Sequence, residues 1–476
     1  MSLDGVMAAG LLSIRNLTST PIGLKLIERF SPEEGSRGNS RTLATNFSRL
    51  LANVTRTNNI EGDLPNSNEI PFGQEQVDVR IEPFATISTQ IRVFLYSDKE
   101  RLGLTIEVEG EKHQVQIPVT TLESATMRPL DEIARFRLVG IYITRESYLA
   151  VFSAANLNAW MRELGDDLLL SALSIPGTHN SPACHVAAPS VRCQAVSPRE
   201  QLENGARFLD IRVQPQYPDD PTRDELLLVH GAFPISLTGS NYFRELLLEL
   251  DEFLECNPSE AVIISLKREG TGRSTDEQLG RILCEHYAHP HSRWYTAPKI
   301  PTLGEVRGKI VLLRRFDIPE GLKQDHDGRG WAIDASGWAD NAPNATCTNG
   351  DICIQDFYEI LQPQNIGKKI QFVMEHIERA SANRYPLSVL NSPDSDKHYP
   401  FYINFLSASN FWSVKTWPEE VAAKVNPATV DYLCRKHDGE DGDWSTGILV
   451  TDWVGQDGDW DLMRCIVGMN AKLKMR

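Results

Sequence analysis

The sequence predicts an all-β sandwich-like domain over residues 1–152, followed by a parallel α/β barrel domain over residues 153–476. Three observations predict this. The 476 residues, 41% of them hydrophobic, exceed one ordinary domain and suffice for more than one core. Near residue 153 the apolar pattern changes from strict alternation to apolar runs separated by amphipathic segments. In the second part the strand runs end in polar residues, and a parallel barrel collects its functional groups at the strand ends.

In the first part QVDVRIEP, TQIRVFLY, LGLTIEVEG, HQVQIPV and FRLVGIYI carry apolar residues at every second position. That is the period of a half-buried strand. Turn-rich pieces such as NNIEGDLPNSNE separate them, as expected of antiparallel sheets packed as a sandwich. No catalytic cluster falls in this part. From 153 the stretch SAANLNAWMRELGDDLLLSAL reads as a helix, with Trp160, Leu164 and Leu168 at helical spacing. Strands then alternate with helices. ALSIPG, ARFLDIRVQ, ELLLVHG, EAVIISLKRE, GKIVLLRRF, FYINFLSAS and TGILVTDWV read as strands. SPREQLENGA, NYFRELLLELDEFLECNPSE, TDEQLGRILCEHY and QNIGKKIQFVMEHIERASAN read as helices. Mostly apolar strands in such alternation are buried on both faces of a parallel sheet.

Composition excludes some functions. The net charge of −16 disfavours nucleic acid, whose phosphates would repel the chain, and confines any contact with an anionic membrane to a local patch. No apolar run reaches the roughly 18 residues of a transmembrane helix. The N-terminal MSLDGVMAAGLLSIRNL lacks a basic leader and reads as no secretory signal. A cytoplasmic or membrane-peripheral location is expected, with secretion left open. None of the eight cysteines forms a CxxC pair, so no structural zinc site is expected. Reduced thiols are expected, although Cys347 and Cys353 are spaced to close a small loop in an oxidising compartment. The acidic run HDGEDGDW lacks the glutamate of an EF-hand loop and reads as a solvated loop.

The strand ends carry His179, Arg212, His230, Lys267, Arg315 and Asp452. Imidazoles titrate near neutral pH, so one of the two histidines can take a proton and the other give one. A metal reading of the pair needs a third ligand, and none is evident. Three long cations at one rim of an acidic protein fit an anionic ligand, and the arginine fork suits phosphate. Asp210, two residues before Arg212, projects to the same face and holds a cation in place. A base, an acid and a phosphate clamp make a phosphodiester-cleaving site.

These residues resemble a known family. LSIPGTHNS, QLENGARFLDIRV, LLLVHGAF, FLECNPSEAVIISLKRE, LGEVRGKIVLLRRF and ILVTDWV are similar, in order and spacing, to phosphatidylinositol-specific phospholipase C of the bacterial and fungal metal-independent type, over residues 160–470. The resemblance implies an irregular TIM-type (β/α)8 barrel. It implies cleavage of an inositol phospholipid at a membrane surface to diacylglycerol and inositol 1,2-cyclic phosphate. It makes His179 the general base, His230 the general acid, Arg212 the phosphate clamp and Asp452 the partner of His179. Lys267, Arg315, Asp356 and Tyr358 would contact the inositol. No cofactor is implied. One departure stands out: the bacterial pattern has aspartate after the first histidine, and this chain has Asn180. Asparagine there is a calcium ligand in metal-dependent relatives, but Phe208 stands where those relatives need an acid, so calcium is the minority reading. The aromatics Trp331, Trp338, Phe411, Trp412 and Trp417 are expected to face either a membrane or the rim packing. Two alternatives follow from Asn180 and the fold: a weak or inactive inositol-lipid binding module, or a metal-dependent phosphodiesterase acting on glycerophosphodiesters.

Overall fold

The computed structural model describes residues 10–31, 70–93, 101–117, 124–184, 187–289, 292–385, 399–438 and 442–475. The turn-rich NNIEGDLPNSNE lies outside them. The chain forms two compact units that divide between Ala154 and Ala155.

The first unit holds ten described strands: β1 (Gly10–Asn16), β2 (Ile22–Phe30), β3 (Gly73–Ile81), β4 (Thr86–Val93), β5 (Arg101–Val108), β6 (Glu111–Ile117), β7 (Ser124–Thr126), β8 (Arg128–Pro129), β9 (Leu138–Ile143) and β10 (Tyr148–Ser153). They make two five-stranded sheets, ordered β4-β1-β10-β9-β7 and β3-β2-β5-β6-β8. Every pairing is antiparallel except β1 with β10. Alternate residues of both sheets, among them Leu12, Ile14, Leu24, Leu104, Ile106, Val115 and Leu149, share one apolar core. The sheets therefore pack face to face, as the alternation predicts. β1 and β2 were not legible as strands in the sequence, because the apolar patch before them blurs the alternation.

The second unit is a barrel with an open seam. Its ring strands are β11 (Ile175–Thr178), β12 (Phe208–Pro215), β15 (Val262–Arg268), β17 (Ile310–Arg315), β18 (Ile333–Asp334), β20 (Ile352–Gln355), β21 (Phe401–Phe405) and β22 (Ile448–Thr451). Between them lie β13 (Leu226–His230) and β14 (Phe233–Pro234), a hairpin on β12, and the two-residue β16 (Trp294–Tyr295) and β19 (Ala345–Thr346). The eight ring strands run parallel in the order β18-β17-β15-β12-β11-β22-β21-β20. Among the described residues no ladder joins β18 to β20. This makes the TIM-type barrel irregular.

A period of two fills the barrel in tiers. On β12, Leu209, Ile211 and Val213 face outward into a core shared with Phe243, Leu250 and Phe253 of helix Phe243–Cys256. Phe208 faces inward with Ile263, Val311, Leu313, Ile354, Ile403 and Val450, and this apolar plug closes the barrel floor. The inward positions above it, Asp210 and Arg212, are polar. Gly177 lets β11 lie close on β12, since a Cβ there would stand 2.9 Å from that of Phe208.

Two sequence readings need correction. Residues 153–173 are not one helix: they form two short 3-10 turns, Leu157–Glu163 and Leu170–Ala172. The leucine spacing reflects burial under the barrel, where Trp160, Leu164 and Leu168 pack against Phe208 and Ile263. The HDGEDGDW stretch is not simply solvated: His437, Asp443 and Trp444 are buried, and Asp443 accepts from the Tyr385 amide; residues 439–441 lie outside the described set. Helices Pro418–Arg435 and Asp461–Met469 were not read from the sequence at all. Among the described residues no disulfide forms, and no helix is long and apolar enough to cross a membrane.

Candidate active site

Strand register builds the site. Arg212 pairs in register with Lys267, and Lys267 with Arg315, so three cations share one tier across β12, β15 and β17. Thr178 pairs with both Leu209 and Thr451, which puts His179, Asp210 and Asp452 one step further along their strands. Gln194 ties this step together: its amide donates to the carbonyls of His179 and Thr451, each at 2.8 Å.

His179 Nδ1 lies 2.8 Å from Asp452 Oδ1. With the proton on Nδ1, Nε2 keeps its lone pair, and Arg212 Nη2 donates to it at 3.0 Å. Burial raises the Asp452 carboxyl above its ordinary range, and His179 pulls it back. The ring of His230 stands edge-on to that of His179, centroids 5.8 Å apart at 85°. His230 comes from β13, and its Nδ1 donates to the carbonyl of Val191 at 3.0 Å. Burial, then the charges of Arg212 and His179, push the His230 imidazole down to about 3, so it is neutral in the empty cup.

Arg212 is held from two sides. Asp210 Oδ2 accepts from its Nε at 3.3 Å and its Nη2 at 3.2 Å, and Glu269 accepts from Nη1 at 3.0 Å. Asp210 also takes Arg315 Nη1 at 3.4 Å and the Asn180 amide at 3.2 Å. Burial alone would raise the Asp210 carboxyl, but Arg212 and Arg315 overcome it and hold the group below its usual range. Glu269 binds Lys267 Nζ at 2.8 Å and the Gly231 amide at 2.7 Å, so one carboxylate fixes two cations and the backbone beside His230. Arg315 lies 3.8 Å over the Trp338 ring, whose Nε1 donates to Asp356 Oδ2 at 2.9 Å. Tyr358 is half out of the cup at the rim, its hydroxyl donating to Asp340 at 3.0 Å.

All ten residues singled out in the sequence meet in or at this cup. Asn180 alone does not act as its position suggests. Its backbone adopts φ 39°, its side-chain carboxamide is buried without a hydrogen-bond partner of ordinary geometry, and the Val191 carbonyl accepts from Nδ1 of His230 instead. Sequence reasoning missed Glu269, Gln194 and Cys193, and it left Trp338 open between a membrane face and rim packing, where the structure sets it under Arg315. Glu269 was detectable, because it lies two residues beyond Lys267 and so on the same strand face. Of the two readings of Trp331, the membrane-facing one falls, because the ring is buried in the core. Trp412 is 89% exposed and Phe411 also faces solvent.

The structure does supply a third donor beside the two histidines. Ligand atoms of His179, Cys193 and His230 lie within 4.8 Å of one another, a mixed nitrogen and sulfur set of the kind zinc accepts. Arg212 already occupies the His179 lone pair, and burial holds the Cys193 thiol well above its ordinary pKa. Both features oppose a resident cation.

Residues 169–316 match the family described as phosphatidylinositol-specific phospholipase C, X domain. A 1-phosphatidylinositol phosphodiesterase of Listeria monocytogenes is 31% identical over 243 residues, spanning 48% of this chain and 70% of that one. The enzyme of that name from Staphylococcus aureus strain Newman is 27% identical over 314 residues, spanning 62% and 88%. A solved double mutant of the phosphatidylinositol-specific phospholipase C from S. aureus is similar in fold, with a TM-score of 0.52 at 24% identity, covering 66% of this chain and 97% of that one.

Proposed function

This chain belongs to the phosphatidylinositol-specific phospholipase C family, and from that premise we propose how its cup cuts the lipid. Its activity is that of a phosphatidylinositol-specific phospholipase C, an enzyme acting on a phosphoric diester.

The observation that carries the mechanism is the pair of imidazoles, edge to face, with Arg212 against the first. The phosphate of the substrate draws Arg212 onto its oxygens and uncovers His179 Nε2. His179 takes the proton of the inositol 2-hydroxyl, whose oxygen attacks phosphorus. Asp452 stabilises the imidazolium that forms. The bond from phosphorus to the glycerol oxygen breaks, and His230 protonates that oxygen. Diacylglycerol leaves, and inositol 1,2-cyclic phosphate remains. The attack is intramolecular and gains from proximity. His230 is neutral in the empty cup, so the bound phosphate anion must raise its affinity for a proton before it can act as acid. Arg212 supplies the positive charge at phosphorus, and no metal takes part. Lys267, Arg315, Asp356 and Tyr358 surround the inositol ring.

His179→Ala and His230→Ala are each expected to lower kcat by about 10²–10⁴-fold with the fold intact. Release of cyclic inositol phosphate from phosphatidylinositol, followed by phosphorus NMR in the presence of a chelator, is the check. Activity that vanishes with the chelator and returns with a divalent ion overturns the metal-free route; full activity of either variant overturns the acid–base pair.

We further propose that the cup opens onto the lipid surface. Phe233, next to the His230 hairpin turn, stacks on Phe411 at 5.2 Å and 7°, Phe411 meets Trp412 edge-on at 5.0 Å, and Leu237, Trp412 and Val414 are exposed. Apolar side chains at that rim insert locally although the whole chain is acidic. Trp412→Ala should leave less enzyme bound to phosphatidylinositol vesicles in a sedimentation assay; unchanged binding removes this surface.

A further inference from the structure

Lys369 has no part in the reaction above, yet it is among the largest fully buried side chains of the protein. It stands on helix Ile366–Ser381, which follows β20. Its Nζ donates to Gln355 Oε1 at 3.1 Å and to the carbonyl of Phe357 at 2.8 Å. Both acceptors are neutral, and among the described residues the ammonium forms no ion pair. Burial pushes it down to about 7, while the charges of Asp356 and Asp452 pull it back. A methionine would fill this space without the cost of desolvating a charge, so the ammonium calls for a reason.

The reason lies in what it holds. Gln355 is the last residue of β20, and its Oε1 also accepts from the Phe357 amide at 2.8 Å. Its Nε2 donates to Asn404 Oδ1 and the Phe405 carbonyl, both at 2.8 Å, which anchors the turn to β21. Asn404 in turn donates to the Val373 carbonyl of the lysine's own helix at 2.9 Å. Among the described residues of this network, Lys369 is the donor that reaches the Phe357 carbonyl. Asp356 sits between the two groups it grips, and Tyr358 follows directly.

We propose that Lys369 is a positioning residue that clamps the Gln355–Phe357 turn, so that Asp356 and Tyr358 meet the inositol ring as one preorganised face. This rests on the headgroup role given to those two residues above. The test is Lys369→Met in the full chain, which keeps the side-chain length and removes the donors. KM for phosphatidylinositol is expected to rise about tenfold with kcat within about twofold, because the lost contact serves binding rather than the reacting bonds. Amides of residues 355–359 should exchange with deuterium faster than in the wild type while the rest of the barrel exchanges as before. Unchanged exchange in that turn overturns the clamp, as does a fall in kcat that follows the folded fraction at constant KM. A wild-type protein that neither turns over phosphatidylinositol nor binds its vesicles would count against the headgroup reading, and the exchange comparison would still decide the role of Lys369.

Discussion

At the scale of the residue, Asn180 is the informative departure. An aspartate there would place a negative charge beside the Cys193 thiol that touches His230. This chain supports the acid with the neutral Val191 carbonyl instead, which does not offset burial and the Arg212 charge, and these push the His230 imidazole down to about 3. Asn180→Asp should therefore raise the proton affinity of His230. A general acid with a higher pKa stays protonated to higher pH, so the alkaline limb of the kcat profile is expected to move upward, with kcat gaining up to about tenfold. Proton NMR of the histidine ring in wild type and variant follows the same shift directly. The added carboxylate lies close to Asp210, which accepts from the residue's own amide, and the variant is expected to lose about 1–3 kcal/mol of stability.

At the scale of the element, β12 shows how one strand serves three ends. Its outward residues hold the helix layer, its inward middle carries the charges, and its start is locked from below. Arg207, just before it, is wholly buried against Glu260, with Nη2 to Oε2 at 2.9 Å and Nε at 3.0 Å. Its remaining donors reach the carbonyls of Leu202, Ala206, Leu157 and Asn158. Such a pair adds little over a well-packed apolar one, but removing one member leaves a buried charge alone. Glu260→Ala should cost about 3–5 kcal/mol, read as a fall in the urea midpoint. The loss should appear without a change in the pH profile of whatever activity survives, since the pair sits beneath the cup.

At the scale of the whole molecule, two buried imidazoles link stability to mild acid. Burial, and then the Arg379 charge, push His376 down to about 3, the same value His230 reaches. An unfolded histidine takes its proton at about 6.5. Between these values the unfolded chain binds protons that the folded chain refuses. The stability tied to these two imidazoles is therefore fully present above about 6.5 and is lost as pH falls toward 3. The urea midpoint should drop from pH 7 to pH 5. His376→Gln should flatten that slope by about 1–2 kcal/mol at pH 5, and an unchanged slope would contradict the neutral burial of His376.

The sequence by itself determined the barrel, the two histidines, the tier of cations and Asp452, because a period of two and polar strand ends are local signals. It determined the sandwich for the same reason. Only the tertiary structure decided that Glu269 joins Arg212 to Lys267, that Trp338 lies under Arg315, that Cys193 lies beside the histidines, and that Lys369 holds the turn of Asp356. It also broke the expected helix at 153–173 into turns, since leucines spaced for a helix serve equally well to cover a barrel floor. Apart from the local pair of Lys267 and Glu269, these contacts join residues on different elements, and the proton affinities they set depend on burial, which no local pattern of side chains encodes.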